Sequence, residues 1–160
     1  MVLAVVLCAS CSKKEEYFYS TTYPVTQIEV RCLPQEVSDE VLAAQLDQIS
    51  AEVIATAPVK AGGRYRLDFN RYDGGDLTVR PTEESEAIKG TFIKQPASSE
   101  MTFTYGDESY TVRKNGYNDE EDQLRVCFEV DLTALYKEKY GIQIEDFRLT
   151  RIEKTSHLYE

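Results

Sequence analysis

From residue 27 the side chains alternate: Ile28, Val30 and Cys32 are apolar, Gln27, Glu29 and Arg31 are polar, and Pro34 interrupts them. A period of two is that of a strand with one wet face, and proline removes a ladder donor, so a strand is predicted to end there. The period then changes. Leu42, Leu46, Ile49 and Val53 fall on one helical face, flanked by Val41 and Ile54. Ser38 is the expected N-cap, with Asp39 and Glu40 in the first turn, where the helix dipole favours acids. Pro58 and Gly62-Gly63 stop this helix, predicted near residues 38–56.

Alternation then returns. Tyr65, Leu67 and Phe69 interleave with Arg64, Arg66, Asp68 and Asn70, and Asp73-Gly74-Gly75 leads into Leu77 and Val79. Two alternating runs around a Gly-rich turn form a hairpin signal. Further strands are predicted at 87–94, 101–105, 109–114 and 123–132, with turns at Gly106-Asp107 and Asn115-Gly116. A short helix near 133–140 is capped by Gly141, and 142–152 is extended again. The fold class is therefore α+β, a mainly antiparallel sheet of about eight strands. A meander, sandwich or partial barrel would serve, with the long helix on one face or closing an end. Residues 25–160 form the one expected globular domain, and 11–24, polar then aromatic (Tyr17, Phe18, Tyr19, Tyr23) without a period, read as a tether.

Composition narrows the function more than the fold. Hydrophobic residues make up 42% of the chain and charged residues 29%, as in ordinary globular domains. The net charge of −10 opposes binding to nucleic acid, whose affinity comes from cations that displace counterions, so no nucleic-acid partner is expected. Adhesion of the domain to an anionic bilayer is disfavoured likewise.

The apolar run at residues 2–7 is too short to span a bilayer. It leads into Leu7-Cys8-Ala9-Ser10-Cys11, which resembles the lipobox of bacterial lipoproteins, with Cys8 where that family usually has leucine. Ser12-Lys13-Lys14-Glu15-Glu16 is similar to the charged signals of Bacteroidota-type outer-membrane lipoproteins. The resemblance implies removal of residues 1–10 as a signal peptide and lipidation of Cys11. It also implies a cell-envelope protein anchored in the outer membrane, facing the periplasm or the cell surface. One acyl chain holds a protein only marginally, at about 0.8 kcal/mol per buried methylene, whereas several chains hold it firmly. The expected membrane partner is reached through the lipid on Cys11.

Cys32 and Cys127 remain in the domain. A disulfide between them would close nearly the whole chain, with an entropic gain of about 4.7 kcal/mol for a loop on the order of 100 residues. Cys127, however, alternates away from apolar Leu124, Val126, Phe128 and Val130, so two separate half-buried thiols remain open. Asp73 with Asp76, and Asp119 with Asp122, put hard oxygens on loops and are candidate Ca²⁺ ligands, yet neither follows the EF-hand order. Solvated acidic loops are the preferred reading of them, and no metal is expected. No zinc spacing, phosphate-cradling glycine loop or Gly-x-Ser-x-Gly elbow is present, and the one histidine, His157, lies near the end of the chain. No cofactor is implied.

The expected function is non-catalytic binding of a protein or glycan partner. A carboxylate-based hydrolase stands behind it, since 28 acidic residues supply unspecific pairs in any fold. The alternative is a lipocalin-like carrier, in which Tyr65, Phe69, Phe92, Phe103 and Phe128 would line a void instead of touching one another.

Overall fold

The structure is a computed structural model that describes residues 18–118, 124–156 and 158–159. In chain order the elements are β1 (Tyr19–Leu33), α1 (Glu40–Ala55), β2 (Arg64–Arg71), β3 (Gly74–Arg80), β4 (Ile88–Lys94), β5 (Glu100–Tyr105), β6 (Glu108–Asn118), β7 (Leu124–Asp131), α2 (Thr133–Tyr140), β8 (Arg148–Thr155) and the two-residue β9 (Leu158–Tyr159). Strands β2 to β8 pair in sequence order, every pair antiparallel. β1 lies between β8 and β2 and closes an eight-stranded barrel.

Closure depends on an irregularity in β1. Its first part pairs with β2, from Tyr19↔Phe69 to Pro24↔Arg64, and its second with β8, from Val25↔Thr155 to Leu33↔Arg148, with a register shift between Val25 and Gln27. An extra residue of this kind bends a strand and increases its twist, so one long strand serves two neighbours. Two glycines allow tight curvature elsewhere. A Cβ on Gly75 would stand 1.9 Å from the Asp68 carbonyl oxygen, and one on Gly90 2.0 Å from that of Thr104.

The alternating apolar residues point inward. Tyr23, Tyr65, Leu67, Phe69, Leu77, Phe92, Phe103 and Phe128 form one buried cluster. A second cluster lies at one end, where Leu46, Ile49 and Val53 of α1 pack with Tyr136 of α2, Phe147, Leu149, Val30 and Cys32. The long helix therefore closes that end of the barrel. The two helices meet through Glu52, which accepts hydrogen bonds from Lys139 Nζ and the Tyr140 hydroxyl. These contacts hold the Glu52 carboxyl below its usual pKa.

Four local expectations are corrected. Residues 19–24 belong to the barrel, because they pair with β2, and are not part of the tether expected over 11–24. The N-cap of α1 is Asp39, whose Oδ1 accepts from the amides of Val41 at 2.9 Å and Leu42 at 3.2 Å. Asn115 and Gly116 sit within β6, opposite Cys127 and Val126. Residues 142–147 form no strand, and β8 starts at Arg148. The short helix over Thr133–Tyr140 stands where expected, with Gly141 at φ 61° as its left-handed cap. Among the described residues no helix is long and apolar enough to cross a membrane.

Candidate functional site

The inward rings touch one another. Tyr65 lies 5.3 Å from Phe103 and 5.5 Å from Phe128, these two are 5.4 Å apart, and Tyr23 is 5.3 Å from Phe128. Phe69 meets Phe92 edge-on at 4.7 Å. Such spacings are those of packed aromatic pairs. The positions that would line a carrier's void fill the barrel instead.

Polar groups share the interior. The Glu153 side chain is buried and accepts the Tyr65 hydroxyl at 3.0 Å on each oxygen, with Arg151 Nε 3.7 Å away. Arg151 Nε has no hydrogen-bond partner among the described residues. Burial raises the Glu153 pKa, against the opposing effects of Arg151 and the Tyr65 bond. Burial also pushes up the phenols of Tyr65 and Tyr105. The cluster is sealed among rings and does not open on a cleft.

The outer face of β2, β3 and β4 is different. In β2 the inward set Tyr65, Leu67 and Phe69 leaves Arg64, Arg66 and Asp68 on the outside. Register places Arg64 directly opposite Arg80 of β3, and Arg66 opposite Thr78, which is itself opposite Lys89 of β4. Four cations thus occupy two neighbouring rungs across three strands. They line an open groove of about 810 Å³, bordered by Thr22, Pro24, Gly62 and Ala87, in which Asp68 and Glu83 are the acids.

Part of this charge is held in place. Arg66 Nε donates to Asp68 Oδ1 at 3.0 Å, and Ser20 Oγ donates to the same oxygen at 2.5 Å. Arg80 Nη1 donates to the Ser85 carbonyl at 2.8 Å, and Lys89 Nζ to Thr78 Oγ1 at 2.9 Å. Arg64 is exposed, and no ion pair or hydrogen bond of its side chain occurs among the described residues. Like charges directly opposite in an antiparallel pair are unfavourable, and a bound anion reverses the sign.

The residues singled out by sequence do not converge. Neither Cys32 nor Cys127 is joined in a disulfide. Cys32 lies opposite Leu149 and Cys127 opposite Lys154, five positions apart on the strand between them, or roughly 16 Å along β8. The disulfide is therefore not formed. Asp73 pairs with Arg71 Nε at 3.1 Å, while Asp76 stands in β3 opposite Asp68 and Thr91. Among the described residues no three His, Cys, Asp or Glu side chains gather as a metal-ligand set. Cys11, Asp119, Asp122 and His157 lie outside the described residues.

A closed eight-stranded antiparallel barrel is an architecture compatible with lipocalin-like carriers. Compared with known proteins, the chain matches no family model, no curated protein and no solved structure. The groove residues escaped the sequence reading because opposition of Arg64 and Arg80 needs the register. The outward Arg64-x-Arg66 alternation in so acidic a chain was the one available signal.

Proposed function

We propose that this is a non-catalytic, lipid-anchored envelope protein that binds an anionic glycan in the groove across β2, β3 and β4. The observation that carries the proposal is the pair of rungs, Arg64 opposite Arg80 and Arg66 in line with Lys89, in a molecule of net charge −10. Charge of one sign concentrated in a groove steers and holds the opposite sign. Sulfate or carboxylate groups repeating along a polysaccharide suit cations set one and two strand spacings apart, roughly 5 and 10 Å.

Two features favour a glycan over an acidic protein segment. The groove lies on the flank of a closed barrel and offers no free strand edge for a peptide to extend. Its apolar lining is only Pro24 and Ala87, too little for the aromatic and aliphatic anchors of protein interfaces. The absence of a ring for sugar stacking puts the recognition on charge.

The test is binding of the full chain to a sulfated or uronic-acid polysaccharide by titration calorimetry. Changing Arg64→Ser and Arg80→Gln together should weaken binding about tenfold, the loss of two exposed charge-assisted contacts. Arg113→Ser, on the other flank, should leave it unchanged. Equal binding by the groove variant, or tighter binding of polyglutamate, would overturn the reading. The carrier alternative keeps the barrel itself in its favour, but the touching rings weigh against it, and uptake of an apolar fluorescent probe should be negligible.

A further inference from the structure

The barrel end opposite α1 carries a different kind of surface. There the β2–β3 turn, the β4–β5 loop and the start of β1 come together, since Lys94 N–H donates to the Asp73 carbonyl and Phe18 N–H to that of Phe69. Tyr72 at the turn is 91% exposed, Phe18 70%, Tyr19 55% and Ile93 45%. Tyr19 lies flat on Phe69 at 4.2 Å, so this edge is stiffened by packing. Arg71 and Lys94 border a depression of about 750 Å³ between turn and loop.

Among the described residues the remaining large exposed apolar side chains are Leu33, Val41, Ile54 and Leu135, all aliphatic and toward the helix-capped end. Tyrosine, an apolar ring with a polar tip, is enriched at membrane–water interfaces, and the two exposed tyrosines among the described residues, Tyr19 and Tyr72, both lie at this end. Phe18 lies seven positions after Cys11, a span that reaches at most roughly 25 Å.

We infer that this end of the barrel rests on the membrane, with Phe18, Tyr19, Tyr72 and Ile93 set into the headgroup region of a zwitterionic bilayer. The inference rests on the lipid anchor proposed above for what holds the N-terminus near the surface. Nonpolar contact supplies the docking, in keeping with an acidic domain that an anionic surface would repel. The groove on the barrel flank then faces sideways, clear of the lipid.

The chain has no tryptophan, so a single one reports its own surroundings. Tyr72→Trp and, as the far-end control, Leu135→Trp are placed on vesicles of phosphatidylcholine with brominated acyl chains. One series is held by the native acyl group and another by an N-terminal histidine tag on a nickel-chelating lipid. Trp at 72 should shift to the blue and lose about half its emission, as burial by several ångströms at the interface implies, with Trp at 135 unchanged. Equal emission at both positions would overturn the docking. Mass spectrometry of the membrane fraction decides the anchor separately. An unmodified Cys11 with quenching in the tagged series removes the anchor and keeps the docking surface, whereas an acylated Cys11 without quenching does the reverse.

Discussion

Glu153 shows how one buried residue sets a pH dependence. Its folded-state pKa is raised by burial above the ordinary carboxylate value of 4.5. Its contribution to stability is thus fully present below that value and is lost as pH rises through the folded-state value. The groups facing it are Arg151 on its own strand, Tyr65 of β2, and Tyr105 and Tyr110 of β5 and β6. Removing the guanidinium leaves a buried carboxylate uncompensated, which costs about 3 kcal/mol or more when it is charged and little when it is neutral. Arg151→Leu should therefore cost about 3 kcal/mol at pH 8 and almost nothing at pH 4, read from urea unfolding curves. An equal loss at both values would mean that Arg151 acts by packing alone.

At the scale of elements, α1 was legible because Leu42, Leu46, Ile49 and Val53 keep a helical period whatever happens at the ends. Its cap was not, since Ser38 and Asp39 both carry a suitable oxygen and only the backbone decides. Asp39, at φ −84° and ψ 113°, takes the part. Asp39→Ala should lower stability by about 1 kcal/mol and Ser38→Ala by a few tenths, measured by chemical denaturation. Asn115-Gly116 looked like a hairpin turn by residue type. The ladder outweighed that local preference, for pairing Gly116 with Val126 keeps Phe128 of β7 in the ring cluster. The groove is a different case. Its cations alternate visibly along β2, but their opposition arises only when three strands fix their register.

For the whole molecule, β1 matters most. Residues 19–24 cover the edge of β2 and complete the circle, so they are structural where the sequence suggested a leash. An exposed strand edge invites pairing with other chains. A chain starting at residue 18 should unfold as sharply as the full one. A chain starting at residue 25 should melt without a cooperative transition and elute as larger species in size-exclusion chromatography. Comparable melting of the two would return 19–24 to the tether.

The kinked first strand also dictates when the protein can finish folding. Thr26 of β1 donates its hydroxyl hydrogen to the carbonyl of Lys154, 128 positions away. Contacts of such separation require a long loop to be closed before they repay its entropy, so the barrel is a slow, late-closing topology. A growing or translocating chain can assemble the β2 to β7 meander in order but cannot seal it until β8 is available. A polypeptide emerging as a thread would thus stay unsealed until β8 has followed, and until then the edges of β7 and of the second part of β1 are the ones a chaperone would have to shield.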